Sequence, residues 1–129
     1  MGEGFLIDSN TLIEYQARLI PPAGHAFVTK IIDERFIISI INRIEVLGGK
    51  AADKAIEDFI NLAESIELTS AISNRTIDIR KTKKIKLPDA IIAATAIEYD
   101  LTLVTRNTKD FSGISGLDIV NPHEITSTQ

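Results

Sequence analysis

The chain has 129 residues, 44% of them hydrophobic, which suits a soluble globular protein, and we expect a single domain over residues 1–129. The absence of cysteine excludes a disulfide scaffold, a thiol nucleophile and a thiolate metal site. The net charge of −4 argues against generic nucleic-acid binding by the whole surface, and the lack of a membrane-spanning run or secretion signal favours a cytoplasmic location.

Short apolar segments alternate with helical segments along the chain. In chain order, the pattern predicts strand 4–8, helices 9–19 and 22–34, strand 35–39, helices 40–47 and 51–63, strand 66–68, helices 70–84 and 88–99, and strands 101–105 and 117–121. This alternation predicts an α/β fold of three layers, in which helices cover both faces of a central parallel sheet of four to five strands.

Oxygen-bearing side chains follow several of these strands. Asp8 ends the first strand, and Glu45 lies in the helix after the second. Asp89 begins the helix before strand 101–105, and Asn107 and Asp110 follow that strand. Ligands of open parallel sheets bind at the carboxyl ends of the strands. We therefore predict that these five side chains meet at one edge of the sheet and form a catalytic site.

Converging carboxylates need a cation. Two unit charges about 4 Å apart repel by about 4 kcal/mol at an effective dielectric near 20. The predicted donors are all oxygen atoms, and His25 and His123 lie outside these segments, so a hard ion such as Mg²⁺ or Mn²⁺ is expected rather than zinc.

Each acid also has an ordinary structural explanation. Asp8 or Ser9 suits a helix N-cap, and Asp89 suits the positive end of a helix dipole. Asn42 and Glu45 have the spacing of a loose capping box, and Asp110 suits the cap of a turn before Phe111. Capping explains each acid separately but not their common place at one edge.

A basic segment lies within this acidic chain. Residues 75–86, RTIDIRKTKKIK, carry six basic and one acidic residue, a local charge of +5. Such a strip attracts phosphate, although a solvated helix face explains it equally simply. The candidates for contacting phosphate groups are Lys81, Lys83 and Lys84 in the strip, and Arg106 and Lys109, which we expect nearer the acids. The chain has no aromatic cluster for stacking bases.

Four segments carry a resemblance to a known family: LIDSNTLIE, ISIINRIEVLGG, LPDAIIAATAIEYDLTLVTRNTKDF and ISGLDIVNP. Together they resemble the PIN domain, and more narrowly the VapC-type toxins of bacterial toxin–antitoxin pairs. The resemblance extends from Phe5 to Pro122 and is most specific between Leu87 and Phe111. It implies a sheet ordered 3-2-1-4-5 and metal-dependent cleavage of RNA.

The resemblance assigns roles to the acids. Asp8, Glu45 and Asp89 fall on the first three acidic positions of the family, with Asp8 and Asp89 binding the ion directly and Glu45 binding it directly or through water. The fourth position departs from many relatives, because Asn107 stands where they carry an acid, so the fourth site residue is either Asn107 or Asp110.

Other site residues and partners are also expected. Ser9, Thr11 and Thr105 are placed to hydrogen-bond the carboxylates or a bound water, with capping and strand-end bonding as the structural alternative. The toxin resemblance implies an RNA substrate, a homodimer and a small antitoxin protein as partners.

Two other functions stay open at this point. A haloacid-dehalogenase-like phosphatase also begins with an apolar strand and an aspartate, but it needs a second aspartate two residues later, where this chain has Asn10. A PIN-like binding module with weak or no catalysis is the other, because the fourth acid is in question.

Overall fold

The computed structural model describes residues 4–126. Its elements in chain order are β1 (Gly4–Ile7), α1 (Ser9–Gln16), α2 (Pro22–Glu34), β2 (Ile37–Ser39), α3 (Ile40–Leu47), α4 (Lys54–Ile60), β3 (Glu64–Ile66), α5 (Ser70–Thr82), α6 (Leu87–Glu98), β4 (Leu101–Val104), α7 (Thr108–Phe111), β5 (Ile119–Val120) and a 3-10 helix (Pro122–Glu124). The predicted α/β class is confirmed. Along these residues, no helix is both long and apolar enough to cross a membrane.

All the strand pairs are parallel. β4 pairs with β1 on one side and with β5 on the other, so that Ile7 lies opposite Val104 and Val104 lies opposite Val120. β2 pairs with β3, and β2 also contacts β1. This arrangement agrees with the implied order 3-2-1-4-5, and it brings the carboxyl ends of β1, β2 and β4 to one edge.

Apolar side chains pack on both faces of the sheet because neighbouring residues of a strand point in opposite directions. Leu6 and Ile37 belong to one core cluster, whereas the next residues, Ile7 and Ile38, belong to the other. The first cluster includes the buried alanines of α6, whose small side chains allow close packing: Ala90, Ala93, Ala94 and Ala96. The predicted three layers are thus confirmed.

Several predicted boundaries are wrong by a few residues. α5 ends at Thr82, two residues earlier than predicted, so Lys83 and Lys84 lie in the loop before α6 rather than on a helix face. β3 occupies Glu64–Ile66, where the sequence predicted a strand at 66–68. The four-residue helix α7 was not predicted, because one turn carries no periodic pattern.

Candidate active site

Asp8 lies at the junction of three elements. Its backbone N–H donates to the Val104 carbonyl at 3.0 Å, which extends the pairing of β1 with β4 by one residue. Its Oδ1 accepts a hydrogen bond from the Ser9 N–H at 2.9 Å, so the expected capping role at α1 is confirmed. Its Oδ2 accepts from Thr105 Oγ1 at 2.8 Å. Helix capping therefore explains the contact of Asp8 Oδ1 only, whereas Oδ2 is bound by Thr105, the residue after β4.

Burial makes the charge on Asp8 costly. The residue is only 7% exposed, and this burial is the largest cause that raises the pKa of its carboxyl group. Hydrogen bonds from Thr105 and Ser9 act in the opposite direction, and the charge of Glu45 raises the pKa further. An ionised Asp8 would thus gain from a nearby cation.

Glu45 is tied to the start of α1. Ser9 Oγ donates to Glu45 Oε1 at 2.6 Å and accepts from Asn42 Nδ2 at 3.0 Å. The predicted capping box between Asn42 and Glu45 is wrong, because the cap of α3 is Ser39. Asn42 Oδ1 accepts from the Ser39 N–H at 2.9 Å, so Asn42 completes that box and Glu45 remains at the site.

Asp89 stands in the first turn of α6, just after Pro88, and is partly buried. Burial is the largest cause that raises the pKa of its carboxyl group, followed by the charges of Asp8, Glu45 and Asp110, while Lys86 lowers it. Three other carboxylates therefore lie within electrostatic reach of Asp89. The structure brings together the four acids that the sequence placed at one edge.

Residues 105–110 continue this edge beyond β4. Thr105 is fully buried, and its Oγ1 accepts from the Asn107 N–H at 3.0 Å while it donates to Asp8. Asn107 Nδ2 donates to Asp110 Oδ2 at 2.8 Å. Asp110 lies within α7, so the expectation that it caps a turn before Phe111 is wrong: the residue before the first turn of this helix is Asn107.

One of the predicted supporting residues contacts the backbone instead of an acid. Thr11 is fully buried, and its Oγ1 lies 3.5 Å from the Val104 carbonyl oxygen. Its hydroxyl thus joins α1 to β4, while Ser9 and Thr105 contact the carboxylates. The difference arises because residues 9 and 11 point in different directions from a helix.

A cleft of about 600 Å³ opens beside the acids. Its lining residues are Arg80, Lys83, Lys84, Ile85, Lys86, Asp89, Lys109 and Asp110. We call its cationic members, Arg80, Lys83, Lys84, Lys86 and Lys109, the basic wall. The sequence did not single out Arg80 and Lys86, although both belong to the basic segment 75–86.

The structure divides the candidate cations into those that line the cleft and those that lie elsewhere. Arg106 is nearer the acids in sequence, but its guanidinium lies 3.4 Å from a Glu14 carboxylate oxygen and forms an ion pair. Lys81 lines an adjoining hollow rather than the cleft. Lys83 and Lys84 line the cleft together with Asp89 because α5 ends before them.

The PIN domain family model matches residues 5–117. This chain belongs to the PIN domain family. No curated protein sequence gives a significant match. The membership removes the haloacid-dehalogenase-like alternative, and PIN domains are in general nucleases.

Solved structures are similar to this PIN domain along almost its whole length. A chain in the toxin–antitoxin complex from Klebsiella pneumoniae is 33% identical, with a TM-score of 0.73 over 95% of this chain and 100% of that one. A chain in the DNA-bound VapBC structure from Salmonella typhimurium is 25% identical, with a TM-score of 0.76 over 95% and 99%. A chain of FitAcB from Neisseria gonorrhoeae, 23% identical with a TM-score of 0.74 over 94% and 99%, shares the fold.

The donors of this PIN domain suit a hard divalent ion. Within residues 4–126, no three His, Cys, Asp or Glu side chains are arranged to hold one metal ion by themselves. Mg²⁺ does not need such a cage, because it keeps several waters and binds through one or two carboxylates plus substrate phosphates. Asp8 and Asp89, whose pKa values are both raised by burial, provide carboxylates that fit this mode of binding.

Proposed function

We propose that this PIN domain is a metal-dependent endoribonuclease that hydrolyses RNA phosphodiester bonds and acts as the toxin of a toxin–antitoxin pair. The observation that carries the proposal is geometric: Ser9 hydrogen-bonds both Asp8 and Glu45, and Asp89 and Asp110 line one cleft. The pKa of Asp89 is raised by burial and by the charges of Asp8, Glu45 and Asp110, which belong to three other segments of the chain. The four acids can bind a cation, and the basic wall beside them can bind a polyanion such as RNA.

Asp8 and Asp89 would hold Mg²⁺ or Mn²⁺, with Glu45 bound directly or through water. Bound there, such an ion would lower the pKa of a water molecule and neutralise charge on the phosphodiester. Thr105 and the Ser9 N–H hold the two oxygens of Asp8 in place. The Ser9 hydroxyl orients Glu45. In-line attack by water on phosphorus, with the 3′ oxygen leaving, gives a 5′-phosphate and a 3′-hydroxyl.

The basic wall would hold the RNA strand against the acids. Lys83, Lys84 and Lys109 line the cleft that Asp89 and Asp110 also line, so phosphates bound there lie next to the proposed reaction centre. Phosphate contacts supply affinity without reading sequence. The basic wall would thus contact the sugar–phosphate backbone of the RNA and not its bases. Arg106 would contribute less to this binding because it is paired with Glu14.

The similarity to the chain in the Klebsiella pneumoniae toxin–antitoxin complex supports an antitoxin partner, and the homodimer rests on the family resemblance alone. We expect a homodimer that a small antitoxin neutralises. Co-expression with a candidate antitoxin encoded beside this gene should suppress toxicity in the host and give a co-purifying complex.

A binding module without catalysis is the second candidate. The neutral Asn107 favours it, because the family resemblance implies an acid at this position and an amide cannot offset the charge of a metal ion. Such a module would bind RNA through the basic wall and leave it intact in the presence of metal.

One experiment separates the two candidates. Purified wild-type protein, Asp8→Asn and Asp89→Asn are incubated with structured and unstructured RNA and either Mg²⁺, Mn²⁺ or a chelator, and the RNA ends are sequenced. Asp33→Asn, which changes an exposed aspartate of α2, is the matched control. We expect metal-dependent cleavage by the wild type and the control only. RNA binding without cleavage by the wild type would establish the binding module instead.

A further inference from the structure

Three hydrogen bonds connect the buried Asp8 to the exposed Asp110 through Thr105 and Asn107. Thr105 Oγ1 donates to Asp8 Oδ2 at 2.8 Å, and the Asn107 N–H donates to the same hydroxyl at 3.0 Å. Asn107 Nδ2 then donates to Asp110 Oδ2 at 2.8 Å. The backbone of Asn107 is thus fixed to the group that holds Asp8, and its side chain holds Asp110.

Asn107 occupies the N-cap position of α7 without capping it. An N-cap asparagine ordinarily accepts a hydrogen bond from an N–H of the first turn. Among the described residues, no N–H group of α7 donates to the Asn107 side chain. Its amide is turned the other way and donates to the carboxylate of Asp110, the third residue of the helix. Helix capping therefore does not explain this side chain.

The chemistry of the amide suits this contact. Asp110 is one of the charges that raise the pKa of Asp89, so it already lies among like charges. A neutral N–H donor at position 107 holds the carboxylate by a charge-assisted hydrogen bond. A carboxylate at the same place has no proton to donate at neutral pH and would repel Asp110.

We propose that Asn107 is a positioning residue, which acts by holding Asp110 toward Asp89 and not by binding the ion itself. This inference rests on the proposed function, since it assigns a role within the same reaction. The buried Thr105 hydroxyl bonds both Asp8 and the backbone of Asn107, so the position of Asp110 is linked to that of Asp8 through these hydrogen bonds.

A double-mutant cycle tests the proposal. Wild type, Asn107→Ala, Asp110→Asn and the double variant are compared for the kcat and KM of RNA cleavage and, independently of activity, for Mn²⁺ affinity by calorimetry. Ser112→Ala is the matched control, because its hydroxyl donates to the Lys109 carbonyl of α7 at 2.9 Å without contacting an acid.

We expect Asn107→Ala to lower kcat about tenfold, since a hydrogen bond to a charged group is lost, and to weaken Mn²⁺ binding in the same direction. The KM of Asn107→Ala for RNA should stay within about twofold of wild type. In the control Ser112→Ala, both kcat and Mn²⁺ affinity should stay within about twofold of wild type. On the Asp110→Asn background, Asn107→Ala should change kcat and Mn²⁺ affinity by less than about twofold, because the residue acts through Asp110.

An undiminished effect of Asn107→Ala on kcat in the Asp110→Asn background would overturn the inference and make Asn107 a direct ligand. It would also be overturned if Asn107→Ala alone, or Asp110→Asn alone, left kcat and Mn²⁺ affinity unchanged. These outcomes differ from a failure of the proposed function, in which the wild type itself neither cleaves RNA nor binds Mn²⁺.

Discussion

The acids and the basic wall lie side by side, but the most buried acid, Asp8, differs from the basic wall in its surroundings. Asp8 is 7% exposed, is held by hydrogen bonds from two other residues, and has a pKa raised by its burial. Lys84, Lys86 and Lys109 of the basic wall are exposed. A buried charge destabilises a fold, whereas exposed charges such as those of Glu45 and Asp110 cost little, so Asp8 is the acid whose cost calls for a functional explanation.

The largest effect should come from removing one of the acids. Asp89→Asn should lower the rate of RNA cleavage by about two to three orders of magnitude, since a group that stabilises the transition state through the ion is lost. The metal-free variant should be at least as stable as wild type, because repulsion from the neighbouring acids is relieved. Cleavage rates and chemical denaturation measure the two quantities. A variant that unfolds would show that Asp89 is structural.

Metal should stabilise the acidic region and leave the basic wall unaffected. Mn²⁺ at about 100 times its dissociation constant should raise the free energy of unfolding by about 2.7 kcal/mol. Asp89→Asn should lose most of this increment, and Lys84→Gln should keep it. Thermal denaturation with and without Mn²⁺ measures the effect. An unchanged melting curve for the wild type would argue against a carboxylate metal site.

Changes in the basic wall should affect binding and not chemistry. The double variant Lys83→Gln/Lys84→Gln should raise the KM for RNA about tenfold or less and leave kcat within about twofold. The slope of log affinity against log salt should become shallower by roughly 1.4, about 0.7 for each phosphate contact to a single strand. Lys30→Gln/Lys50→Gln, which changes exposed lysines outside the cleft, is the control. An unaltered slope would favour a solvated surface without a ligand.

The two regions should also differ in how pH changes stability. Asp8 and Asp89 have folded-state pKa values raised above the ordinary aspartate value of about 4. Between that value and the raised pKa, the folded state holds more protons than the unfolded state, so the stability of metal-free protein should fall as pH rises through this window. Asp89→Asn should weaken this dependence, and Lys84→Gln should leave it unchanged. Urea denaturation across the window measures it.

The smallest effect should come from Arg106. Its ion pair with Glu14 ties it to α1, so Arg106→Gln should change RNA affinity by less than about twofold and less than Lys84→Gln does. Filter binding at two salt concentrations compares the two variants. A larger loss of RNA affinity in Arg106→Gln than in Lys84→Gln would show that Arg106 contacts RNA, as the sequence predicts.

The sequence predicted the acids better than the basic wall, for a physical reason. Asp8 follows a buried strand and Asp89 begins a helix, so local patterns were enough to place both at the carboxyl edge. The place of Lys83 depends on where α5 ends, and the pairing of Arg106 with Glu14 joins residues 92 positions apart, which no local pattern reveals. The Ser39–Asn42 box is not evident from the sequence pattern, because Ser39 is both the last residue of β2 and the N-cap of α3.

The most direct test of the central claim is to locate the ion. A crystal of the wild-type protein grown with Mn²⁺, measured at the manganese absorption edge, should show an anomalous peak bound by the carboxylates of Asp8 and Asp89, beside the basic wall. An Asp89→Asn crystal grown in the same way should lose that peak. Manganese found elsewhere, or no peak at this edge at saturating Mn²⁺, would contradict a metal-dependent site built from these acids.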